Sequence, residues 1–537
     1  MAATTTVREA TLELLRRQGL TTVFGNPGST ELPMLADWPP DFRYVLGLQE
    51  AAVVCMADGF SQVTRRPVLV NLHSAPGAGN GVGSIITARW SRAPLVITAG
   101  QQVRALITSS NWLVNDDPAR VPEPAVKWSF EPPRAQDVPL AIAKALLLAR
   151  SPPSGPVFVS VPMDDWDQEL PRHEVDDLLA RDVTLRAAPD GSALAALVNA
   201  LDGARSPALV LGAAADQGGG WDDAVTLAER AGLAVFAAPS AGRGVFPEDH
   251  ARFAGFTPFA AEAIAQTFTG HDLVLVVGAP AFTLYPYAPA RLVEPGTRLM
   301  LVSDSPDEIA RAPLGDAILA DPALTLALLA QSVTPAQRPP RTRETSPDPG
   351  RPPAGEPPTA EQVFAAVASG LPDRVRLVNE SPSTLKAYHR QIVNRRSGGY
   401  LTTPSGGLGY GVAAAVGAAL ADPDTPVLAI IGDGSLHYTV PALWTAAQHG
   451  APLVVLVMAD EQYTILKSFG AFGGLDADGL PGLDVPGLDA TLVARGYGVD
   501  ARHVTYEEVA AAVADGLAAG RPLLLQVAVD PEVPDLL

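Results

Sequence analysis

The chain has very little cysteine, few basic residues and no long apolar run, and each shortage excludes a class of protein. Cys55 is the only cysteine among 537 residues, which excludes a disulfide within the chain and a thiolate metal cluster. With 38 Lys and Arg against 58 Asp and Glu, the net charge of −20 argues against a nucleic acid or an anionic membrane as partner. No apolar run reaches the roughly 18 residues of a membrane span, and the N-terminus lacks a signal-peptide core. We therefore expect a cytoplasmic protein.

The length and the order of the apolar runs predict three α/β domains. A chain of 537 residues, 47% of them hydrophobic, exceeds what one core supports. Continuous apolar runs alternate with helical patterns in three blocks, 1–180, 184–333 and 358–537, which is typical of buried parallel sheets. A stretch rich in Pro and charge, 334–357, is predicted to be an extended linker. The expected fold is three doubly wound parallel-sheet domains.

Four strands are predicted in each block. In the first block they lie in TTVFGNPGS, FRYVLGLQE, PVLVNLHS and PLVITAG, and in the second in PALVLGAAA, LAVFAAPSA, DLVLVVGAP and TRLMLVSDS. In the third they lie in RVRLVNES, VLAIIGDG, LVVLVMAD and PLLLQVAV. Because ligands of open parallel sheets bind beyond the carboxyl ends of the strands, the residues that follow these runs are the candidates for chemistry.

Two acidic residues follow neighbouring strands of the third block. One strand ends at Asp433, Gly434 and Ser435, a helix predicted to stop at Gly450 follows, and the next strand ends at Asp460. One βαβ unit would place both carboxylates at the same sheet edge, where they suit Mg²⁺ and a ligand phosphate. The glycine permits close approach of the backbone, and the helix N-terminus after Ser435 favours an anion. The alternative interpretation is a structural GDG turn.

The first block offers three further candidates. Glu50 lies between two apolar runs, where poor hydration suits a group that shares a proton; alternatively it only stabilises the first turn of a helix. His73 follows a strand and faces a Gly-rich turn, where it either does acid–base work or bonds a turn carbonyl. The turn GNPGST presents Asn26 and Ser29 before a helix, which Ser29 could simply cap. The histidines predicted to be exposed are His173, His250, His271 and His503.

In chain order, these segments resemble the thiamine diphosphate-dependent decarboxylases, and benzoylformate decarboxylases most closely. The resemblance is carried by TVFGNPGSTELP, LQEAAVV, NLHSAPGAGN, GGLGYGVAAAVGAAL and GDGS followed by ADEQYT, and it spans nearly the whole chain. It implies a pyrimidine-binding, a central and a pyrophosphate-binding domain. It also implies thiamine diphosphate with Mg²⁺ or Ca²⁺, and a cofactor held between the first domain of one subunit and the last of another. A homodimer is then the minimal unit and a homotetramer is usual.

The resemblance assigns the catalytic roles. It implies that Glu50 bonds a ring nitrogen of the aminopyrimidine and favours its imino tautomer. Ser29 would orient the carboxylate of a 2-oxo acid, and His73 would act as acid and base during its conversion to an aldehyde and CO₂. Tyr285 stands where the family has a second active-site histidine, so one proton shuttle is absent or replaced by a phenol, which exchanges protons less readily near neutral pH.

The resemblance also assigns the cofactor contacts and the pocket. Asp433, Asp460 and the backbone carbonyl of Gln462 would hold the metal, the Gly406 carbonyl would accept from the pyrimidine amino group, and Leu408 would bend the cofactor. The remaining implied cofactor contacts are Asn26, Gly28, Asn80, Ser383, Gly434, Ser435 and Tyr463. The implied substrate pocket comprises Leu113, Thr402, Ile465, Leu466 and Phe469.

Several positions depart from the benzoylformate decarboxylase pattern. Asp460 replaces an Asn, and Pro382 replaces a Thr that contacts the diphosphate, so a hydroxyl and an N–H are lost there. Thr402 replaces a Phe and Ile465 a small residue, which changes the space for a phenyl ring. Aryl and branched aliphatic 2-oxo acids both remain candidate substrates. Slow protonation at Tyr285 would favour capture of the reaction intermediate by an aldehyde, which is carboligation.

Three other functions remain open at this point. A flavin-containing enzyme of the acetolactate synthase type is one, although the glycines of GAAADQGGG (212–220) form no specific fingerprint. An NAD-dependent dehydrogenase is disfavoured because no GxGxxG opens a helix with an acidic residue at the proper distance. A non-catalytic homologue that only binds the cofactor is the third. The presence of Glu50, His73, Ser29 and both metal carboxylates favours an active enzyme.

Overall fold

The computed structural model describes residues 3–239, 241–340 and 347–534, and within them the first block forms one α/β unit. Its strands make a parallel sheet in the order β3-β2-β4-β5-β7-β6, and β1 pairs with β8 in antiparallel fashion. Its elements are β1 Thr4–Thr6, α1 Val7–Arg17, β2 Thr22–Asn26, α2 Leu32–Leu35, β3 Arg43–Leu46, α3 Glu50–Thr64, β4 Val68–Leu72, α4 Ser74–Trp90, β5 Leu95–Gln101, α5 Arg104–Ile107, β6 Ser129–Phe130, α6 Val138–Arg150, β7 Val157–Pro162, β8 Glu169–Pro171 and α7 Arg172–Leu179.

The second block forms another six-stranded parallel sheet. Its strand order is β11-β10-β9-β12-β13-β14. Its elements are α8 Gly191–Gly203, β9 Pro207–Leu211, α9 Ala213–Gln217, α10 Trp221–Ala231, β10 Ala234–Ala237, β11 Phe253–Phe256, α11 Ala261–Thr267, β12 Leu273–Val277, β13 Arg298–Ser303, α12 Pro306–Arg311, β14 Asp316–Leu319 and α13 Pro322–Ser332.

The third block repeats the architecture, with the strand order β16-β15-β17-β18-β20-β19. Its elements are α14 Ala360–Ala368, β15 Arg376–Glu380, α15 Leu385–Gln391, β16 Tyr400–Thr402, α16 Gly411–Ala421, β17 Val427–Gly432, α17 Asp433–Leu436, α18 Ala442–His449, β18 Leu453–Ala459, α19 Thr464–Phe472, α20 Ala490–Gly496, β19 Asp500–His503, α21 Tyr506–Ala519 and β20 Leu523–Ala528. The predicted fold class of three parallel sheets flanked by helices is confirmed. No helix in the described part of the chain is long and apolar enough to cross a membrane.

Three details of the sequence interpretation are wrong. The helix predicted between Asp433 and Gly450 is two helices, α17 and α18, because Pro441 has no N–H to continue the first. His271 is buried rather than exposed, and its Nδ1 lies 2.9 Å from the carbonyl oxygen of Ser206. The prediction also omitted β6 and β7 of the first sheet and the outer strands of the second and third sheets, β11, β14, β16 and β19.

The predicted linker contains no helix or strand in its described residues, while 341–346 lie outside them. Its first residues pack against the second block. The Thr334 backbone N–H donates to Asp202, and an Arg338 Nη donates to the carbonyl of Ala204 at 2.5 Å. The proposed domain limits themselves stay a prediction.

The order of the strands creates a crevice in each of two sheets. In the first sheet the chain runs from β2 to β3 on one side and then to β4 on the other, so the connections diverge between β2 and β4. In the third sheet they diverge in the same way between β15 and β17. Loops that turn in opposite directions leave a space beyond the carboxyl ends of such strands, which is where open α/β sheets bind ligands.

Helices α3 and α16 pack so closely that their backbones touch. A Cβ atom added to Gly417 would lie 1.8 Å from the Met56 carbonyl oxygen, and one added to Gly59 would lie 2.1 Å from that of Ala414. Both residues are buried. Glycine is therefore required by space at these two positions, and the contact attaches the first sheet to the third within one chain.

A buried polar cluster joins all three sheets. Arg243 donates through Nε to Asp216 at 2.7 Å and through Nη1 to the Gln62 side chain at 2.8 Å. Ser397 donates to the other oxygen of Asp216 at 2.5 Å. The Arg243 and Asp216 side chains are almost fully buried, so removing Asp216 would leave the Arg243 charge without its carboxylate partner, and the cluster favours one arrangement of the three units.

Replacing Gly417 by Ala should destabilise the protein, although Ala is the better helix former. The added methyl would overlap the Met56 carbonyl and force the helices apart, at a cost of about 2 kcal/mol or more. We expect the melting temperature to fall by roughly 5 °C, measured by calorimetry. Gly203→Ala is the matched control, since a Cβ there meets no atom within 4 Å. Equal melting temperatures for the two variants would contradict the packing argument.

Candidate active site

A cleft opens where β15 and β17 diverge, and Asp433 lies at its floor. Asp433 begins α17 and is only 3% exposed. Its Oδ1 accepts the Gly434 N–H at 2.7 Å and its Oδ2 accepts the Glu461 N–H at 2.8 Å. Burial raises the pKa of Asp433 to about 6, and repulsion from Asp460 adds to the rise. Burial therefore disfavours the ionised form of the Asp433 carboxyl, and a bound cation would favour it again.

Asp460 and Gln462 complete this edge of the cleft. Asp460 follows β18, its Oδ2 accepts the Thr464 hydroxyl at 2.5 Å, and burial raises the pKa of this carboxyl too. The Gln462 side chain is turned away, because its Oε1 accepts from Lys467 and its Nε2 donates to the Pro531 carbonyl, each at 2.6 Å. No N–H in the described chain bonds the Gln462 backbone carbonyl, so this oxygen is available to a ligand.

These residues fit a hard divalent cation and a diphosphate. The described residues contain no cluster of three His, Cys, Asp or Glu side chains that could hold a metal by themselves. Two carboxylates and one carbonyl instead provide an incomplete set of oxygen ligands, and Mg²⁺ typically completes such a set with phosphate oxygens and water. A cation would also offset the repulsion between Asp433 and Asp460.

The walls of the cleft include most of the predicted cofactor contacts. Ser383, Leu408, Gly434, Ser435 and Tyr463 all line it. Gly434 lies under the Tyr463 ring, since an added Cβ would be 2.6 Å from a ring carbon. Three hydroxyl-bearing residues of this wall were not predicted, Ser381, Thr384 and Thr464, and the Thr384 hydroxyl donates to that of Ser381 at 2.8 Å. Thr384 lies two residues beyond Pro382 and places a hydroxyl in the same wall, where the proline has none.

The loop before α16 carries Gly406 and Leu408. Gly406 is exposed and has a φ of +74°, a backbone conformation that favours glycine. Leu408 is half-buried and reaches the cleft. The Ser405 side chain lies 3.0 Å from the Thr87 hydroxyl on α4, which connects this loop to the first sheet.

Glu50 lies at the other crevice, that of the first sheet. It is the first residue of α3 and 8% exposed. Its Oε2 accepts an N–H from Asn80 on α4 at 3.1 Å. Glu50 is thus buried and also lies in the first turn of a helix, so both locations considered from the sequence are observed, and its catalytic role stays a prediction.

His73 is held by an acidic residue that the sequence interpretation missed. Its Nδ1 lies 2.8 Å from Oε2 of Glu31, whose side chain is almost completely buried. Glu31 also accepts the backbone N–H groups of Gly28 and Gly100 at 2.8 and 2.7 Å. Gly28 has no room for a side chain because a Cβ would lie 2.1 Å from Nδ1 of the imidazole. Glu31 thus fixes the position of the imidazole through Nδ1.

The remaining residues of the first block lie at the rim of the same crevice. Asn26 ends β2 and is half-buried, and Ser29 is exposed at the start of a single 3₁₀ turn. Gly28, not Ser29, occupies the cap position of that turn. Leu113 lies in the loop after β5 with a φ of +64°. Gln101 anchors this loop by bonds to the backbone N–H and carbonyl of Asn115.

Three of the five predicted pocket residues, Ile465, Leu466 and Phe469, lie on α19, whereas Leu113 lies in the loop after β5 and Thr402 ends β16. Ile465 lines the cleft, whereas Leu466 is exposed on the same helix. The Tyr285 ring, 60% exposed, meets the Phe469 ring edge-on with centroids 5.0 Å apart. Thr402 donates its hydroxyl to the Asn379 carbonyl at 2.8 Å, so this hydroxyl is committed to the sheet.

The predicted residues of the first block and those of the third block share no pocket, hydrogen bond or ion pair within the described chain. The lining of the cleft comes entirely from residues 381–465 of the third block. In the described ranges no hydrogen bond or ion pair links Glu50, His73 or Ser29 to Asp433 or Asp460. The site is therefore divided into an acid–base half on the first sheet and a cation–phosphate half on the third.

Comparisons with known proteins agree with the three-domain fold. Three family profiles match: the thiamine pyrophosphate enzyme N-terminal TPP binding domain over residues 5–117, the central domain over 194–329 and the C-terminal TPP binding domain over 384–527. A benzoylformate decarboxylase of Pseudomonas aeruginosa is 48% identical over 527 residues, covering 97% of this chain and 98% of that protein. An acetolactate synthase large subunit of Parasynechococcus marenigrum is 28% identical over 525 residues, covering 93% and 83%.

The solved structures that resemble this chain belong to the same family. A thiamine diphosphate-dependent 4-hydroxybenzoylformate decarboxylase of Rhodococcus jostii superposes with a TM-score of 0.94 at 45% identity, covering 98% of this chain and 100% of the other. A benzoylformate decarboxylase of Polynucleobacter necessarius gives a TM-score of 0.95 at 36% identity, with 99% and 100% coverage. With three matched domains, two divergent crevices and near-complete coverage, the chain belongs to the thiamine diphosphate-dependent 2-oxo-acid decarboxylases, in the benzoylformate decarboxylase family.

Proposed function

We propose that this decarboxylase acts on an aryl or branched aliphatic 2-oxo acid, as a homodimer at minimum and typically a homotetramer, in the cytoplasm. Its divalent metal would be Mg²⁺ or Ca²⁺. The observation that carries the proposal is the pair of buried carboxylates, Asp433 and Asp460, at the crevice of the third sheet. They suit a cation–diphosphate group, and the relative with 48% identity is named a benzoylformate decarboxylase.

Each half of the site has its own task in this proposal. Thiamine diphosphate, when bound, supplies the electron sink for decarboxylation. Asp433, Asp460 and the Gln462 carbonyl hold the metal, and Glu50 presents its carboxyl to the pyrimidine ring. His73 moves a proton at the substrate, with Glu31 fixing which ring nitrogen faces it.

The substrate end of the site combines residues from two sheets. Ser29, exposed at the crevice, is placed to donate to a carboxylate. Tyr285 and Phe469 form an aromatic pair beside Ile465, which suits a flat apolar group on the substrate. The Thr402 hydroxyl cannot serve the substrate while it bonds the Asn379 carbonyl. An aryl 2-oxo acid is therefore favoured over pyruvate.

The flavin and dinucleotide alternatives are disfavoured by the second sheet. Its connections diverge between β9 and β12, where a dinucleotide would bind. The ends of these two strands stay close together: the Gly212 N–H donates to the Val277 carbonyl at 3.0 Å, and the Ala214 N–H to that of Gly278 at 3.2 Å. A Cβ at Gly212 would lie 2.4 Å from that of Ala279. A non-catalytic role is disfavoured because the acid–base residues and both metal carboxylates keep organised contacts.

The exposed face of α4 supports the dimer. Gly79, Asn80, Gly83, Ile86 and Trp90 recur at helical spacing on this face, with Ile86 and Trp90 45% and 52% exposed. No atom lies within 4 Å of a Cβ added to Gly79 or Gly83, so another helix could approach closely. Asn80 on this face bonds Glu50, so the face lies beside the acid–base half of the site. A second subunit packed here would bring its own cation–phosphate cleft close to that half.

Cofactor-dependent CO₂ release is the first test of the proposed function. With Mg²⁺ and thiamine diphosphate, we expect release from phenyl-substituted and branched 2-oxo acids and much less from pyruvate. Glu50→Gln keeps the shape of the side chain and removes its acid, and we expect it to lower kcat by about 100-fold or more. Release that persists without the cofactor, or equally in the variant, would contradict the assignment.

The same assay distinguishes carboligation, which the exposed Tyr285 phenol makes a specific second candidate. An aldehyde acceptor is added and 2-hydroxy ketone is measured beside CO₂. If slow protonation at Tyr285 favours ligation, Tyr285→His should shift product from ketone to aldehyde. An absence of ketone from every acceptor would exclude this activity.

A double-mutant cycle tests whether Glu31 acts through His73. We expect Glu31→Gln to lower kcat roughly 10-fold and His73→Ala about 100-fold. Because the carboxylate would act only by orienting the imidazole, the double variant should be no slower than His73→Ala alone. Penalties that multiply in the double variant would show that Glu31 acts independently.

Complementation tests the divided site. Glu50→Gln and Asp433→Ala are each expected to be inactive, but one of the two sites in a mixed dimer keeps both halves intact. Chains co-expressed with two different tags and purified on both should therefore recover on the order of a quarter to a half of the parent activity. The matched control pairs Glu50→Gln with His73→Ala, which damage the same half and should not complement. Equal behaviour of the two pairs would place the site within one chain.

A further inference from the structure

Glu380, the last residue of β15, is a buried carboxylate with no cationic partner in the described hydrogen bonds and ion pairs. It is 3% exposed. Its Oε1 accepts the backbone N–H groups of Gly409 and Tyr410 at 2.8 and 3.0 Å, and its Oε2 accepts that of Gly411 at 2.9 Å. Three consecutive amides therefore converge on one side chain that is 29 or more residues away in the sequence.

These amides belong to the junction between the cofactor loop and α16. Gly411 is the first residue of α16, an 11-residue helix whose first N–H groups have no partner within the helix. Glu380 satisfies them and places negative charge at the helix N-terminus, where the dipole favours it. Burial raises the pKa of Glu380 to about 7, whereas the three N–H bonds lower it. A neutral amide in its place could accept at one oxygen only.

The geometry leaves the loop little freedom at this end. A Cβ added to Gly411 would lie 2.6 Å from the Cβ of Glu380. Gly409 has a φ of +103°, and its carbonyl accepts the Thr439 hydroxyl at 2.7 Å. Leu408 directly precedes this fixed point. The bonds to Gly409, Tyr410 and Gly411 therefore restrain the position of Leu408 from its C-terminal side.

We propose that Glu380 is a positioning residue for the pyrimidine half of the cofactor, which it serves by holding the loop of Gly406 and Leu408 in place. This inference rests on the proposed role of that loop. Glu380 touches neither the metal carboxylates nor the phosphate wall through its side chain. Its loss should consequently affect recognition of the pyrimidine ring and leave recognition of the diphosphate intact.

Binding of two ligands distinguishes the pyrimidine half of the cofactor site from its diphosphate half. Thiamine diphosphate occupies both, whereas inorganic pyrophosphate with Mg²⁺ occupies only the diphosphate half. In Glu380→Gln, measured by titration calorimetry on the full chain, we expect the dissociation constant of thiamine diphosphate to rise roughly 10-fold or more, because charged hydrogen bonds to the loop are lost. The constant for pyrophosphate should change less than about twofold.

Asp58→Asn is the matched control. Asp58 is also a buried carboxylate, and burial raises its pKa to about 7. It lies on α3, however, and bonds Gln62 instead of the loop. We expect it to leave both dissociation constants unchanged. Hydrogen exchange over residues 403–411 should accelerate in Glu380→Gln and not in Asp58→Asn.

The outcomes are distinct. Unchanged binding of both ligands, or equal weakening of both, would overturn the proposal, the latter because Glu380 would then support the whole domain. Should Glu380→Gln not fold, Glu380→Asp is judged by the same criteria, since its shorter side chain cannot reach all three amides. Failure of both variants to fold would make the residue structural and end the proposal. A parent protein that binds thiamine diphosphate without releasing CO₂ would contradict the proposed reaction but not this role.

Discussion

The backbone contact between α3 and α16 is the constraint on which the arrangement of the chain depends. Gly59 and Gly417 leave no room for a side chain, so the two helices have a single separation. Helix α3 begins with Glu50, and α16 begins directly after the loop of Gly406 and Leu408. Each helix therefore carries one half of the site at its N-terminus while its middle is fixed against the other. The packing that unites the two sheets thus also fixes where these two N-termini lie.

The buried carboxylates around the predicted site are of two kinds. Glu31 and Glu380 accept two or three backbone N–H groups each, so their charge is satisfied by the chain itself and they hold loops in place. Asp433 and Asp460 also accept N–H bonds, yet they face each other across the cleft and burial raises the pKa of both. The first kind is complete without a ligand. The second kind carries charge that the chain does not offset, which fits the cation proposed for this pair.

This difference explains what the sequence could predict. Asp433 and Asp460 follow apolar strands of one βαβ unit, and the rule that parallel strands end at the same edge places them together. Glu31 and Glu380 also follow predicted strands, so a signal was present. Their partners, however, are backbone amides such as that of Gly100, 69 residues from Glu31, which no side-chain pattern identifies. The outer strands of the second and third sheets were missed for a related reason: at an edge such as β14, most residues are exposed and the apolar run disappears.

The substrate end is where prediction from sequence is weakest, because it depends on contacts between sheets. Thr402 in place of an aromatic residue indicates a wider pocket when β16 is considered alone. In the structure, the Thr402 hydroxyl is bonded to the sheet, and an aromatic wall is present nevertheless, since Tyr285 of the second block packs on Phe469 of α19. The aromatic surface has thus moved from a strand to an exposed loop. A loop residue is free to change without disturbing the strand ends, so cofactor and substrate recognition can diverge independently in this fold.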